Sequence, residues 1–200
     1  MAVNLSAPEQ KQILPIAGIR LATGCAGIKT NGSTDLVLIE ICEGSAVSAV
    51  YTQNAFCAAP VTVAKQHQKE AAPRYLLINS GNANAGTGQQ GLQTAIASCE
   101  ALAKQVKGET HSVLPFSTGV IGQQLPLAKI QAAMPDLVAG LTNDNWFNAA
   151  KGIMTTDTIA KAISKQVMLG DALVTITGMA KGSGMIRPDL ATMLSYIATD

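Results

Sequence analysis

A mixed α/β fold with substantial antiparallel pairing is what this sequence predicts, and three observations predict it. Short apolar runs that alternate in character or end in small polar residues recur along the chain and read as strands. Longer stretches between them repeat apolar residues at helical spacing. The two kinds interleave without the strict strand–helix–strand rhythm of a doubly wound sheet, and the last third holds a hairpin.

The elements follow in order. After a polar lead-in, GIRLATGCAGIK and TDLVLIEICEGSAVSAVYTQ read as strands, with Asp35, Val37 and Ile39 on one side and Leu36, Leu38 and Glu40 on the other. Glu43-Gly44-Ser45 supplies a turn. RYLLINSG and HSVLPFSTG are further strands, each short and apolar. Between them, GLQTAIASCEALAKQVKG places Leu92, Ile96, Cys99, Leu102 and Val106 on one helical face, with Gly108 as its stop. A second helix fits PLAKIQAAMPDLVAGL, started near Pro126 and broken or kinked at Pro135. NDNWFNAAKGIM reads as a third, capped by Asn143 or Asp144. KQVMLGDALVTITGMAKG closes as a hairpin turning at Gly170-Asp171.

Composition excludes several classes. The 200 residues suffice for one domain or two small ones, and 48% are apolar, which marks a globular chain. A formal net charge of +1 and 4% aromatic residues leave no footprint for nucleic acid or an anionic membrane. The N-terminal MAVNLSAPEQKQ has no basic region followed by an apolar run, and no stretch approaches the roughly 18 apolar residues of a membrane span. Cys25, Cys42, Cys57 and Cys99 form no C-x-x-C and are expected as buried free thiols of a reducing cytoplasm. His67 and His111 lack neighbours at metal-ligand spacing, so no zinc site is expected.

Four segments have chemistry to offer. INSGNANAGTGQQG contains G-x-G-x-x-G at Gly86, Gly88 and Gly91, but five residues separate Gly81 from the first glycine. No acidic residue ends a second strand at the distance a dinucleotide fold requires. An Asn-rich loop presenting its amides to a site is the preferred reading over both a dinucleotide turn and a plain tight loop. PFSTGVIG sets Ser117, Thr118 and Gly119 at a strand end, where a hydroxyl and a glycine N–H could face a developing oxyanion. On this segment alone, an ordinary strand-to-loop turn is the preferred reading. IMTTDT clusters three hydroxyls and a carboxylate, enough for a cap or a polar wall. In KGSGMIRPDLATMLSYIATD, Lys181 could hold a carboxylate and its glycines allow close backbone approach. Thr192 has no histidine or cysteine placed to activate it. As a new N-terminus it would carry its own general base, and its hydroxyl could first attack the carbonyl of Ala191. From spacing alone, a buried threonine opening a helix over ATMLSYIATD is the preferred reading.

Taken together, NSGNANAGTG, PFSTGVIG, IMTTDT and KGSGMIRPDLATMLSYIATD resemble the ornithine acetyltransferase family, the bifunctional glutamate N-acetyltransferases of arginine biosynthesis. The likeness runs over essentially the whole chain, beginning at GIRLATGCAGIK, and four motifs in order make it specific. It implies a layered α/β sandwich with largely antiparallel sheets. It implies a precursor that cuts itself between Ala191 and Thr192, so that residues 1–191 form an α chain and 192–200 begin a β chain. By motif, Thr192 is the implied nucleophile, and Thr118 and Gly119 the oxyanion hole. Thr155, Lys181 and Thr192 are the implied substrate-binding residues. The implied reaction moves an acetyl group from N-acetylornithine to glutamate through acetyl-threonine, without metal or prosthetic group. Some members also accept acetyl-CoA, which makes it a candidate co-substrate. The implied assembly is a cytoplasmic α2β2 heterotetramer. Only nine residues, Thr192 to Asp200, belong to the expected β chain, so this chain is expected to be incomplete as a catalyst. A related self-processing amidase or aminopeptidase, and a binding module built on GTGQQG, are the competing expectations.

Overall fold

The computed structural model describes residues 6–184 and 193–200; Ala191 and Thr192 lie outside the described residues. Strands β1 (Ile19–Gly24), β2 (Leu36–Ile41) and β3 (Tyr75–Asn82) pair antiparallel in that order, and β4 (Val113–Val120) adds parallel to β3. A parallel pair needs a crossover, and helix α2 (Gly88–Val106) provides it. Helix α1 (Ala59–Glu70) lies in the connection from β2 to β3. Helices α3 (Leu127–Ala139) and α4 (Trp146–Gly152) follow. A second sheet, order β5-β6-β7, is antiparallel throughout: β5 (Lys161–Leu169), β6 (Ala172–Lys181) and β7 (Leu194–Thr199). The fold is mixed α/β with mostly antiparallel pairing, as expected.

Strand β2 shows why the layers stack as they do. Its side chains alternate, and both faces are buried: Val37 and Ile39 enter one core, Leu36 and Leu38 the other. Each such burial contributes about 1.5–3 kcal/mol, so a strand apolar on both sides is driven to the middle layer. The first core joins Leu21, Ile39, Ile78 and Trp146 of α4 to Met179 and Tyr196 of the second sheet. The second packs Val63 of α1, Ala95, Cys99 and Leu102 of α2, and Ile130 and Met134 of α3 against Leu38 and Leu77. Helices α1–α3, the four-stranded sheet, and then α4 with the three-stranded sheet thus form successive layers. Among the described residues no helix is long and apolar enough to cross a membrane.

Several expectations need correction. The helix expected over ATMLSYIATD is replaced at Leu194–Thr199 by strand β7, because these residues pair antiparallel with Ile176–Lys181 of β6 and Tyr196 enters the first core. The first strand stops at Gly24, because the N–H groups of Ala26, Ile28 and Lys29 turn to the buried carboxylate of Asp35. The stretch after the turn at Glu43 is irregular, since no strand pairs with it and Val50 is exposed. Helix α1 was not expected at all, yet Pro60 sits in its first turn and Pro60, Val63, Ala64 and His67 form a buried stripe at helical spacing. The buried face of α2 is made of small residues, with Gly91, Ala95, Ser98 and Ala103 beside Cys99 and Leu102, while Ile96 is exposed. Helix α3 runs through Pro135 to Ala139, held by burial of Met134 and Leu137 on either side. Asn145, rather than Asn143 or Asp144, is the N-cap of α4, because Asp144 accepts from Thr142 Oγ1 instead. The hairpin turns at Gly170-Asp171 as expected, with Gly170 at φ +61°. All four thiols are free, but only Cys99 is buried; Cys25, Cys42 and Cys57 are exposed.

Candidate active site

The end of β4 is built by an unusually close approach of backbones. Ser80 pairs with Thr118 and Gly81 with Gly119 in parallel register. Gly119 lies at φ +139°, and a Cβ there would sit 2.3 Å from Gly81 C and 2.4 Å from Asn82 N. Glycine at 119 is therefore demanded by sheet packing, whatever else it does. Thr118, beside it, is buried.

Lys181 ends β6 and is 4% exposed. Its Nζ lies 3.1 Å from Thr118 Oγ1 and 2.8 Å from Thr155 Oγ1, donating to both hydroxyls. Three of the expected site residues, Thr118, Thr155 and Lys181, thus meet across both sheets, with Gly119 next in the chain. Thr155 is the threonine of the TTDT run that makes this contact, and Thr156 is exposed. A hydroxyl that accepts from an ammonium keeps its own hydrogen to donate, so the cluster offers polarised O–H donors around a cation. Ala191 and Thr192 lie outside the described residues.

The charges around Lys181 are arranged in a chain. Burial lowers the pKa of its ammonium, Asp157 opposes that, and Lys161 adds to it, with a net fall. Burial would raise the Asp157 carboxyl, but hydrogen bonds from Lys161, Gly182 N–H and Thr155 N–H outweigh it and hold the group below the ordinary aspartate value. Lys29, on the loop after β1, donates to Thr34 O at 2.8 Å. Burial also lowers its pKa, against Asp35 and Cys25, and Lys181 lowers it further. Sequence reading missed Asp157 and Lys29 as neighbours of the site; only the carboxylate inside the hydroxyl cluster hinted at the first.

The Asn-rich loop behaves differently from expectation. Asn84, at φ +45°, donates to Gly91 O and accepts from Thr87 Oγ1, while Asn82 donates to Gln123 O and Gln124 O. The Asn84 amide is thus spent inside the loop and the Asn82 amide on the segment after β4, rather than on a ligand. A Cβ on Gly91 would lie 1.9 Å from Thr87 Oγ1, so this glycine serves the packing of the helix start rather than a pyrophosphate. An open concavity of about 910 Å³ between Pro15–Arg20, Glu40 and Arg74 includes none of Thr118, Thr155 and Lys181 in its lining. Among the described residues, no group of three His, Cys, Asp or Glu side chains is placed to hold a metal ion.

Fold and site together define a two-sheet α/β protein that gathers a buried lysine and two threonine hydroxyls where its sheets meet. The chain belongs to the ArgJ family, whose model matches residues 20–200. It is 57% identical over 189 residues to the arginine biosynthesis bifunctional protein ArgJ of Methylococcus capsulatus, covering 94% of this chain and 46% of that protein. It is 52% identical over 201 residues to the protein of the same name from Psychrobacter arcticus, covering 100% of this chain and 49% of that one. The chain spans about half the length of the curated relatives it matches. Among solved structures, the arginine biosynthesis bifunctional protein ArgJ of Bacillus halodurans superposes with a TM-score of 0.82 at 32% identity, covering 94% of this chain and 97% of that one. The ornithine acetyltransferase of Mycobacterium tuberculosis, solved in complex with ornithine, gives 0.76 at 35% identity, covering 88% and 94%.

Proposed function

We propose that the full-length protein is a self-cleaving acetyltransferase that moves the acetyl group of N-acetylornithine to glutamate. The single observation that carries this reading is the contact of Lys181 Nζ with both Thr118 and Thr155. It joins three distant motifs whose resemblance implied a shared site. The names of the similar proteins, including an ornithine acetyltransferase bound to ornithine, support the same substrate class.

In this reading the Thr192 hydroxyl attacks the Ala191 carbonyl, and water hydrolyses the resulting ester, leaving residues 1–191 and a new chain that begins with Thr192. The freed α-amine then takes the proton of the Thr192 hydroxyl as it attacks the acetyl carbon. The Thr118 hydroxyl and the Gly119 N–H stabilise the oxyanion, and collapse expels ornithine with the proton returned to its amine. Glutamate's amine attacks acetyl-threonine in the reverse sense. Thr155 and Lys181 hold substrate, with the ammonium facing a carboxylate. No metal or prosthetic group takes part, and acetyl-CoA would enter as an alternative donor. Two α and two β chains form the proposed cytoplasmic heterotetramer. Both solved chains are covered almost entirely by a chain of this length, whereas the curated relatives are about twice as long. That contrast supports division of a longer precursor.

The test is the intact mass of the full-length gene product under denaturing conditions. Two species dividing between Ala191 and Thr192 are expected, and Thr192→Ala should give one. A single uncut wild-type species in a folded protein overturns the reading. Assay of N-acetylornithine with and without glutamate then separates transfer from hydrolysis.

A further inference from the structure

Asp157 stands between the residues of the site without belonging to the roles assigned above. Its side chain is fully buried, 0% exposed. It accepts hydrogen bonds from Lys161 Nζ on β5, from Gly182 N–H at 2.9 Å, and from Thr155 N–H at 3.3 Å. The last two donors lie at the two ends of Lys181, one beside its backbone and one on a residue that its ammonium meets. One is the residue after Lys181, at φ +155°, and the other is the residue whose hydroxyl Lys181 meets. A buried carboxylate is costly unless paired and fully hydrogen-bonded. Here the pairing goes to Lys161, so among the described residues Lys181 has no ion-pair partner and its ammonium meets the hydroxyls of Thr118 and Thr155. The groups that face Lys181 are Thr118 from β4, Thr155 and Asp157 from the segment after α4, Lys161 from β5, and Lys29 from the loop after β1.

We infer that Asp157 is the positioning residue of this site: ion-paired to Lys161, it holds Thr155 and the Lys181–Gly182 step together while leaving the Lys181 ammonium free for a substrate carboxylate. The substrate part of this inference rests on the function proposed above; the positioning part does not.

The experiment uses the full-length protein and two variants. Asp157→Asn keeps the size and one acceptor but removes the charge. Lys161→Met leaves Asp157 with Lys181 as its remaining cation. The first readout is competitive labelling of amines across pH, with the Lys181 peptide followed by mass spectrometry. Its labelling midpoint falls in Asp157→Asn, because an opposing charge is lost, and rises in Lys161→Met, because a like charge is lost. The second is steady-state acetyl transfer. In Asp157→Asn the KM for N-acetylornithine rises about tenfold, the scale of one weakened charged contact, and the basic limb of kcat/KM moves to lower pH. A protein in which Asp157 merely stabilised the fold would show the midpoint and limb shifts of a lost charge without the rise in KM. Unchanged midpoints in both variants, or unchanged KM in a folded Asp157→Asn, overturn the inference. If Asp157→Asn does not fold, the midpoint in Lys161→Met decides it. If wild type transfers no acetyl group, the proposed function fails, and unchanged labelling midpoints would still overturn the positioning role.

Discussion

Gly119→Ala separates two demands made on one residue. In the structure its φ of +139° lies where L residues rarely go, which costs about 1–3 kcal/mol for a side chain. The added methyl would also meet three backbone atoms, Gly81 C at 2.3 Å, Asn82 N at 2.4 Å and Gly81 O at 2.6 Å. Ordinary carbon contacts begin near about 3.5 Å, and backbone cannot rotate away as a side chain can. Strand β4 must therefore move off β3 by roughly 1 Å, an overpacking cost of about 1–3 kcal/mol. The two contributions give about 2–6 kcal/mol in all. Gly122→Ala is the matched control, because Gly122 has φ +80° but a methyl added to it would find nothing within 4 Å. It should lose only the conformational part, about 1–2 kcal/mol. Urea unfolding of the full-length protein, followed by far-UV circular dichroism, compares the two midpoints. Equal losses would refute the close approach of β3 and β4 as the reason for glycine. A Gly119→Ala protein of normal stability and no activity would leave oxyanion binding as its whole purpose.

Three further outcomes follow from the same geometry. Thr118→Ala in the complete protein should slow turnover severely, since one oxyanion donor contributes on the order of 3 kcal/mol to the barrier, with little change in KM; unaltered kcat refutes that role. Burial pushes the Cys99 thiol far above its ordinary pKa, so a thiol reagent at neutral pH should modify Cys25, Cys42 and Cys57 in the native protein and spare Cys99. Native labelling of Cys99 at the rate of the others would contradict its burial. The Asp157 carboxyl is held below its unfolded value, so its stabilisation is present above the ordinary aspartate range and is lost as pH falls through its folded pKa. Urea midpoints measured down through the acid range should therefore fall less steeply in Asp157→Asn than in wild type. Parallel slopes would mean that the carboxylate is not preferentially charged in the fold.

The elements that sequence pattern revealed are those whose burial follows their own period. Leu36 to Ile39 alternate between two cores, and the hairpin across Gly170 pairs with its own neighbour, so both are legible locally. Helix α1 carried the same kind of signal at Pro60, Val63, Ala64 and His67, but its stripe is short and set among polar residues. The face of α2 was misjudged at Ile96 because close packing there selects small residues, which a search for large apolar ones passes over. The site is another matter. Lys181 lies 63 residues from Thr118 and 26 from Thr155, and no periodicity encodes those separations. Their grouping came from the resemblance of whole motifs, and Asp157, which no motif singled out, emerged only from its hydrogen bonds. The asparagines show the reverse failure. Asn82 and Asn84 look like amides offered to a ligand, yet loop backbone and Thr87 consume them. What a polar side chain can do depends on which of its bonds are already made, and that is decided by residues elsewhere in the chain. Gly119 is the sharpest instance. Sheet packing alone demands glycine there, so the letter G carries no independent evidence for an oxyanion hole, and only the difference between a stability loss and a rate loss can tell the two demands apart.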